Sequence, residues 1–225
     1  MCGRYTITVH ADTAREALGL ASMPADYHPR YNVAPTQPVL AVANNGERAA
    51  EWMRWGLIPF WAKDPSIGGR MINARSETIT EKPAFKNAFH KRRCLLLADG
   101  FYEWKKGAGP KGRSQPYFFR LADGKPFAFA GLWEFWRSPE GEEIRSCTII
   151  TTEANGVVRP VHERMPVMLT GDALWAWLGE GELPAGALLD LLRPYPEDAM
   201  TGHPVSLMVN QAGVESPELI APVAV

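Results

Sequence analysis

Long hydrophobic runs are missing from this 225-residue chain. The longest, such as Leu95–Leu96–Leu97–Ala98, are strand-sized and far short of the roughly 20 residues that span a bilayer. No charged segment leading into an apolar one opens the sequence, so no secretory signal and no membrane association are expected. The expected location is the cytoplasm. Cysteine is scarce: Cys2, Cys94 and Cys147 make an odd count with no CxxC pair, which argues against a disulfide framework and a zinc site. There is no HExxH, no carboxylate cluster, no GxxxxGK[ST] and no GxGxxG after a strand. No metal and no nucleotide cofactor are expected.

Charge is also small in sum, −1 overall, but unevenly spread. Residues 63–113 carry net +7 and residues 170–225 net −7. A near-neutral total can therefore conceal a basic face able to attract phosphates, although accidental clustering on a solvated surface explains the numbers equally well. Apolar content of 46% and charged content of 22% are those of an ordinary globular protein, large enough for one domain with a true core.

Short apolar or alternating segments predict strands at residues 4–9, 39–43, 51–55, 94–98, 116–121, 127–133 and 144–151. Residues 107–114 and 138–142 read as hairpin loops. Helix signals are few: Asp12 or Thr13 capping a helix to Leu20, a Pro-started helix at 83–90, Thr170 capping 172–178, and Pro184 opening another through Leu192. Helices and strands do not alternate regularly, so a parallel βαβ sheet is not expected. The fold class indicated is α+β, one domain over residues 1–225, with a curved, mostly antiparallel, barrel-like sheet and peripheral short helices. Residues 31–38 and 56–72 read as ordered loops bearing aromatics and prolines, where function tends to sit.

Four places could carry chemistry. Removal of Met1 would leave Cys2 as a 1,2-aminothiol, whose amine and thiol can condense with an aldehyde into a five-membered thiazolidine. The amine's ordinary pKa of about 7.7–8.0 leaves a useful neutral fraction near pH 7. The plainer alternative is an incidental cysteine at a frayed end. Asn73 and Arg75, in NARSET, offer a neutral hydrogen-bonding group and a bidentate phosphate grip, or simply a capped polar turn. Glu103, in DGFYEW, lies between aromatics beside an apolar strand; either its pKa is raised for acid–base work or it is an exposed strand glutamate. His162, in PVHERMP, stands beside Arg164 in a turn and could shuttle protons or be merely structural. Cys94 and Cys147 read as small buried hydrophobes.

The blocks MCGRY, RYNVAPTQP, WGLIPFW, NARSET, DGFYEW, PVHERMP and the late HPVS and VN run in order from Met1 to about Asn210. Together they resemble the SRAP family, the SOS response-associated peptidases, over nearly the whole chain. The resemblance implies a single-domain monomer that senses abasic sites in single-stranded DNA and links to them covalently through Cys2. It implies that Asn73 orients the sugar, that Glu103 moves protons during ring opening, and that His162 assists proton transfer, including crosslink reversal. It places Arg4, Arg75, Thr151 and Arg164 at phosphates, and Pro35 and Trp61 as wedges against bases. Residues 64–69 look like an addition relative to shorter members. A weak lyase side reaction and self-processing at Met1 are compatible with this chemistry. Two rival readings remain: a thiol peptidase using Cys2 and His162, and a non-catalytic single-strand binder using the +7 region.

Overall fold

In the computed structural model, residues 2–179 and 185–224 are described. In chain order the strands and helices are β1 (Tyr5–Ile7), α1 (Ala11–Leu18), β2 (Arg30–Val33), β3 (Pro38–Ala43), β4 (Ala50–Trp55), β5 (Asn73–Arg75), α2 (Pro83–Lys91), β6 (Arg93–Ala98), β7 (Gly100–Lys105), β8 (Gln115–Leu121), β9 (Phe127–Arg137), β10 (Glu143–Glu153), β11 (Arg164–Pro166), β12 (Met168–Leu169), α3 (Asp172–Leu178), α4 (Ala185–Asp190) and β13 (Met200–Pro204).

Five strands close on themselves. β10 pairs β4, β4 pairs β3, β3 pairs β6, β6 pairs β9, and β9 returns to β10. Among the named strands of the described residues, β10 runs parallel to β4 and to β5, and the other ladders are antiparallel. Closure leaves no unpaired edge within the ring. A second sheet, β13-β8-β7-β1-β2, lies beside it, and β5, β11 and β12 add to the ring's outer ladders. The α+β expectation with a barrel-like sheet holds.

β3, β6 and the first half of β9 are apolar without alternation because both of their faces are buried. Leu40, Val42, Leu95, Leu97, Ala128 and Ala130 join the cluster containing Phe89 of α2 and Trp177 of α3. Their neighbours Val39, Ala41, Leu96, Phe127 and Phe129 join Tyr5, Phe101 and Phe119 of the second sheet. On β9 the small residues thus face the bulky helix side chains, and the large ones face the sheet. Arg93, at the start of β6, donates to the carbonyl oxygens of Trp177 (2.6 Å), Phe89 (3.1 Å) and His90 (3.2 Å), satisfying the open C-terminal ends of α2 and α3.

Several local expectations need correction. Neither Asp12 nor Thr13 caps α1; His10 stands at that position without a side-chain bond, and the helix stops at Gly19 in the left-handed conformation. Gly171, not Thr170, precedes α3. Pro184 lies outside the described residues. The 31–38 loop contains the end of β2, and NARSET begins as β5 rather than as a turn. Both strands are too short and too mixed in composition to announce themselves; neighbouring ladders create them. The residues at 64–69 form a 3-10 turn (Pro65–Arg70), with Asp64 accepting from the Ser66 amide at 2.8 Å. Both hairpin loops appear as expected, joining β7 to β8 and β9 to β10.

That long loop is pinned where two glycines meet. Gly56 has φ 131°, and a Cβ there would sit 2.5 Å from the Gly68 carbonyl oxygen. A Gly56→Ala protein should unfold with at least about 1–3 kcal/mol less stability in urea titration; unchanged stability would mean the loop does not need this contact.

Candidate active site

The start of the chain is held in the sheet. β1 pairs with β7 through Tyr5 with Phe101 and Thr6 with Gly100, and the Tyr102 amide donates to the Arg4 carbonyl at 3.0 Å. Continuing that register brings Gly3 beside Glu103. Cys2 is fully buried, and Asn73 Nδ2 on β5 donates to its carbonyl oxygen at 2.8 Å. β5 reaches this point because it pairs with β10, Asn73 opposite Ile149 and Arg75 opposite Thr151. Three segments that are far apart in sequence therefore converge on Cys2.

Glu103 is 2% exposed, not an exposed strand glutamate. Burial pushes its carboxyl up to about 7, so it exchanges protons near neutrality. Burial, and next the nearby Glu103 carboxylate, push the Cys2 thiol well above its ordinary value. Asn73 Oδ1 is buried and has no hydrogen-bond partner among the described residues, an acceptor whose bonding capacity the fold leaves unused.

His162 sits at the end of a helical turn built on Asn155. Asn155 Oδ1 accepts from the Val157 (3.2 Å) and Val158 (3.1 Å) amides, and the His162 amide donates to the Val158 carbonyl. Val158 and Val161 pack into the same apolar cluster as Cys2. Nδ1 of His162 lies 3.0 Å from the Arg164 amide nitrogen and 3.2 Å from the Arg164 carbonyl oxygen, so this one residue's backbone orients the ring. Its pKa is lowered, chiefly by burial, so it stays neutral near pH 7.

The expected phosphate contacts differ in availability. Arg75 is exposed. Arg4 donates to Asn32 Oδ1 and the Val209 carbonyl, both at 2.7 Å. Arg164 grips Glu77 in bidentate fashion (2.6 and 2.9 Å) and donates to the Thr151 carbonyl at 2.7 Å. Thr151 itself is buried, its hydroxyl 3.5 Å from the Ala74 carbonyl oxygen, so it backs Arg164 rather than facing outward. Pro35 occupies a turn from Ala34 to Gln37 whose next residue, Thr36, adopts φ 72°, rare for a non-glycine residue and common at functional turns. Trp61 is 50% exposed. It walls a cleft of about 580 Å³ with Met71, Asn73, Arg75, Lys82 and Phe85. The cleft thus reaches from Asn73 of the reactive cluster to a basic, aromatic wall.

Three residues that hold the site together escaped sequence reasoning. Asn32 and Asn155 are asparagines in ordinary turn-like contexts, and nothing local distinguishes them. Glu77 lies within NARSET, two residues from Arg75, which could have drawn attention to it.

A family model described as SOS response associated peptidase (SRAP) matches residues 1–212. The chain belongs to the SRAP family. An abasic site processing protein, YoqW of Bacillus subtilis, is 44% identical to this SRAP protein and covers 98% of its chain and 99% of its own. The abasic site processing protein HMCES of Xenopus tropicalis is 34% identical over 98% of this chain and 78% of that one. Among solved structures, a Bordetella bronchiseptica protein superposes with a TM-score of 0.78 at 30% identity, covering 92% of this chain and all of that one. A Bacteroides thetaiotaomicron protein shares the fold with a TM-score of 0.87 at 24% identity, covering 99% and 100% of the two chains.

The raised carboxyl of Glu103 has a thermodynamic consequence. Its folded pKa of about 7 lies above the ordinary value of about 4.3. The folded SRAP protein therefore binds more protons than the unfolded chain between those values, and stability falls as pH rises through that window. Glu103→Gln should match wild type in melting temperature at pH 4 and exceed it at pH 8. Equal melting curves at both pH values would contradict the burial effect.

Proposed function

We propose that this SRAP protein processes abasic sites in single-stranded DNA by forming a covalent thiazolidine at Cys2 once Met1 is removed. The observation that carries this reading is the convergence of Cys2, Asn73 with its open Oδ1, and the near-neutral carboxyl of Glu103 at one end of a basic, aromatic-walled cleft. The names of the relatives support its abasic-site part.

The abasic sugar is a cyclic hemiacetal. Protonated Glu103 donates to the ring oxygen as the C1′ hydroxyl loses its proton, opening the sugar to an aldehyde and a C4′ hydroxyl. Asn73 Oδ1 accepts from a sugar hydroxyl and holds it in register. The C1′ hydroxyl proton has returned to Glu103; the neutral Cys2 amine adds to the aldehyde and the Glu103 proton leaves with the hydroxyl as water, giving an iminium, and the thiol sulfur then adds to the iminium carbon and passes its proton back to Glu103. One water is lost in total. A closed thiazolidine has no iminium to promote β-elimination of the 3′ phosphate, so the strand is protected, while escape from the iminium gives a weak lyase activity. His162, kept neutral by burial, serves proton transfer, including in reversal. Arg75, Arg4 and Arg164 attract phosphate charge, with Thr151 behind Arg164, and Pro35 and Trp61 replace lost base stacking.

With Met1 attached, the Cys2 nitrogen is an amide and cannot attack, so methionine removal is the switch that arms the site. The peptidase reading is disfavoured because burial suppresses the Cys2 thiolate that such an enzyme needs. In the amine-first route an iminium captures the thiol, so a stable thiolate is not required.

Intact mass spectrometry after mixing with an abasic oligonucleotide tests this. Wild type should give a heat-stable adduct one water lighter than the sum of processed protein and DNA. Cys2→Ala, or one residue inserted ahead of Cys2 to keep its nitrogen acylated, should give none; an adduct surviving the insertion defeats the mechanism. The rate should be bell-shaped and peak at roughly pH 7–8, since it needs a neutral amine and a protonated Glu103. Glu103→Gln should lower the rate and remove the alkaline limb.

A further inference from the structure

The cleft beside Asn73 leaves one side of the exposed aromatic pair unused. Phe60 and Trp61 also wall a separate hollow of about 350 Å³, completed by Pro83, Lys86, Asn87 and His90 of α2. Trp61 stands between the two spaces, lining both. The chemistry of the second is that of a nucleotide seat: aromatic surface for a base, amide donors and acceptors, and an exposed ammonium for a phosphate.

The turn that presents these rings is fixed from below. The Ile58 amide donates to Ser146 Oγ at 2.8 Å, the Phe60 amide to Glu134 Oε2 at 3.3 Å, and Trp136 Nε1 to the Ala62 carbonyl at 2.7 Å. Glu134 is 3% exposed on β9 and ion-paired with Arg92. The Arg92 ion pair offsets the cost of burying this carboxylate, and its other oxygen is left to accept from the loop amide. The two exposed aromatics thus sit on a turn whose backbone is tied to β9 and β10 at three points, and little entropy remains to be lost when a base stacks on them. Positive charge continues along the same rim at Lys82, Lys86 and Lys91.

We propose that Phe60, Trp61, Lys86, Asn87 and His90 form a second nucleotide subsite, which holds a base and phosphate of the strand flanking the lesion. The proposal rests on the DNA-processing reading above, and Trp61 divides the lesion-side cleft from this seat. Phe60 supplies the stacking face, Lys86 the phosphate contact, and Glu134 positions the turn.

The test uses full-length protein and dye-labelled oligonucleotides carrying one abasic site, either ending at the lesion or extended by several nucleotides on the 5′ or the 3′ side. One extension should tighten wild-type binding about tenfold or more. Phe60→Ala should abolish that gain while leaving affinity for the lesion-terminated oligonucleotide and the adduct rate at saturating DNA unchanged. Lys86→Gln should reduce the salt slope by about 0.7, the increment for one phosphate on a single strand. Glu134→Ala should reproduce the Phe60→Ala loss, and Glu134→Gln, which keeps an acceptor for the Phe60 amide, should recover much of it. If Phe60→Ala leaves the extension's gain intact, or if no extension tightens binding, the subsite does not exist. Equal binding of the extended oligonucleotide with and without the abasic site, and no adduct from either, would instead remove the underlying lesion reading.

Discussion

The pairing of β1 with β7 is the constraint on which the site depends. A chain terminus is ordinarily the least ordered part of a domain. Here Tyr5 is buried against Trp55 and Phe129 in edge-on ring contacts, and its strand is laddered to β7 and β2. This fixes Cys2 within reach of Glu103, and the carbonyl bond from Asn73 completes the placement. A reaction that joins an N-terminal residue to a sugar needs such order, because orientation converts a slow bimolecular condensation into a positioned one.

Burial does most of the electrostatic tuning. It raises the Glu103 carboxyl to a value at which it can both give and take a proton near neutral pH, and it suppresses ionisation of the Cys2 thiol. The same burial keeps His162 neutral. Positive charge lies apart from this neutral core, on the exposed α2 rim and at Arg75. The division suits a reaction whose reacting groups are uncharged and whose substrate is a polyanion: attraction works at the rim, proton exchange in the interior. Arg164 is held against Glu77 and backed by Thr151, an arrangement that fixes the guanidinium plane.

Much of the fold was legible because the barrel strands are written in β-branched and aromatic residues between glycine and proline turns. The apolar runs of β3, β6 and β9 were readable at once. β5 and β11 were not: three residues each, they exist as strands because β10 offers both an edge to pair with. The side-chain caps assigned to Asp12 and Thr170 failed because backbone geometry at His10 and Gly171 starts those helices without them.

The residues alone put Cys2 next to Met1, so that loss of Met1 would leave an amine and a thiol on adjacent carbons, and no fold alters that. The order of the motif blocks likewise tied the chain to its family without coordinates. The three-dimensional fold alone decided that Glu103 is buried rather than exposed, that Asn73 touches Cys2, and that the Phe60–Trp61 turn is anchored to β9 and β10. Those facts arise from contacts between segments tens of residues apart, and local sequence carries no record of which distant strand a side chain will meet.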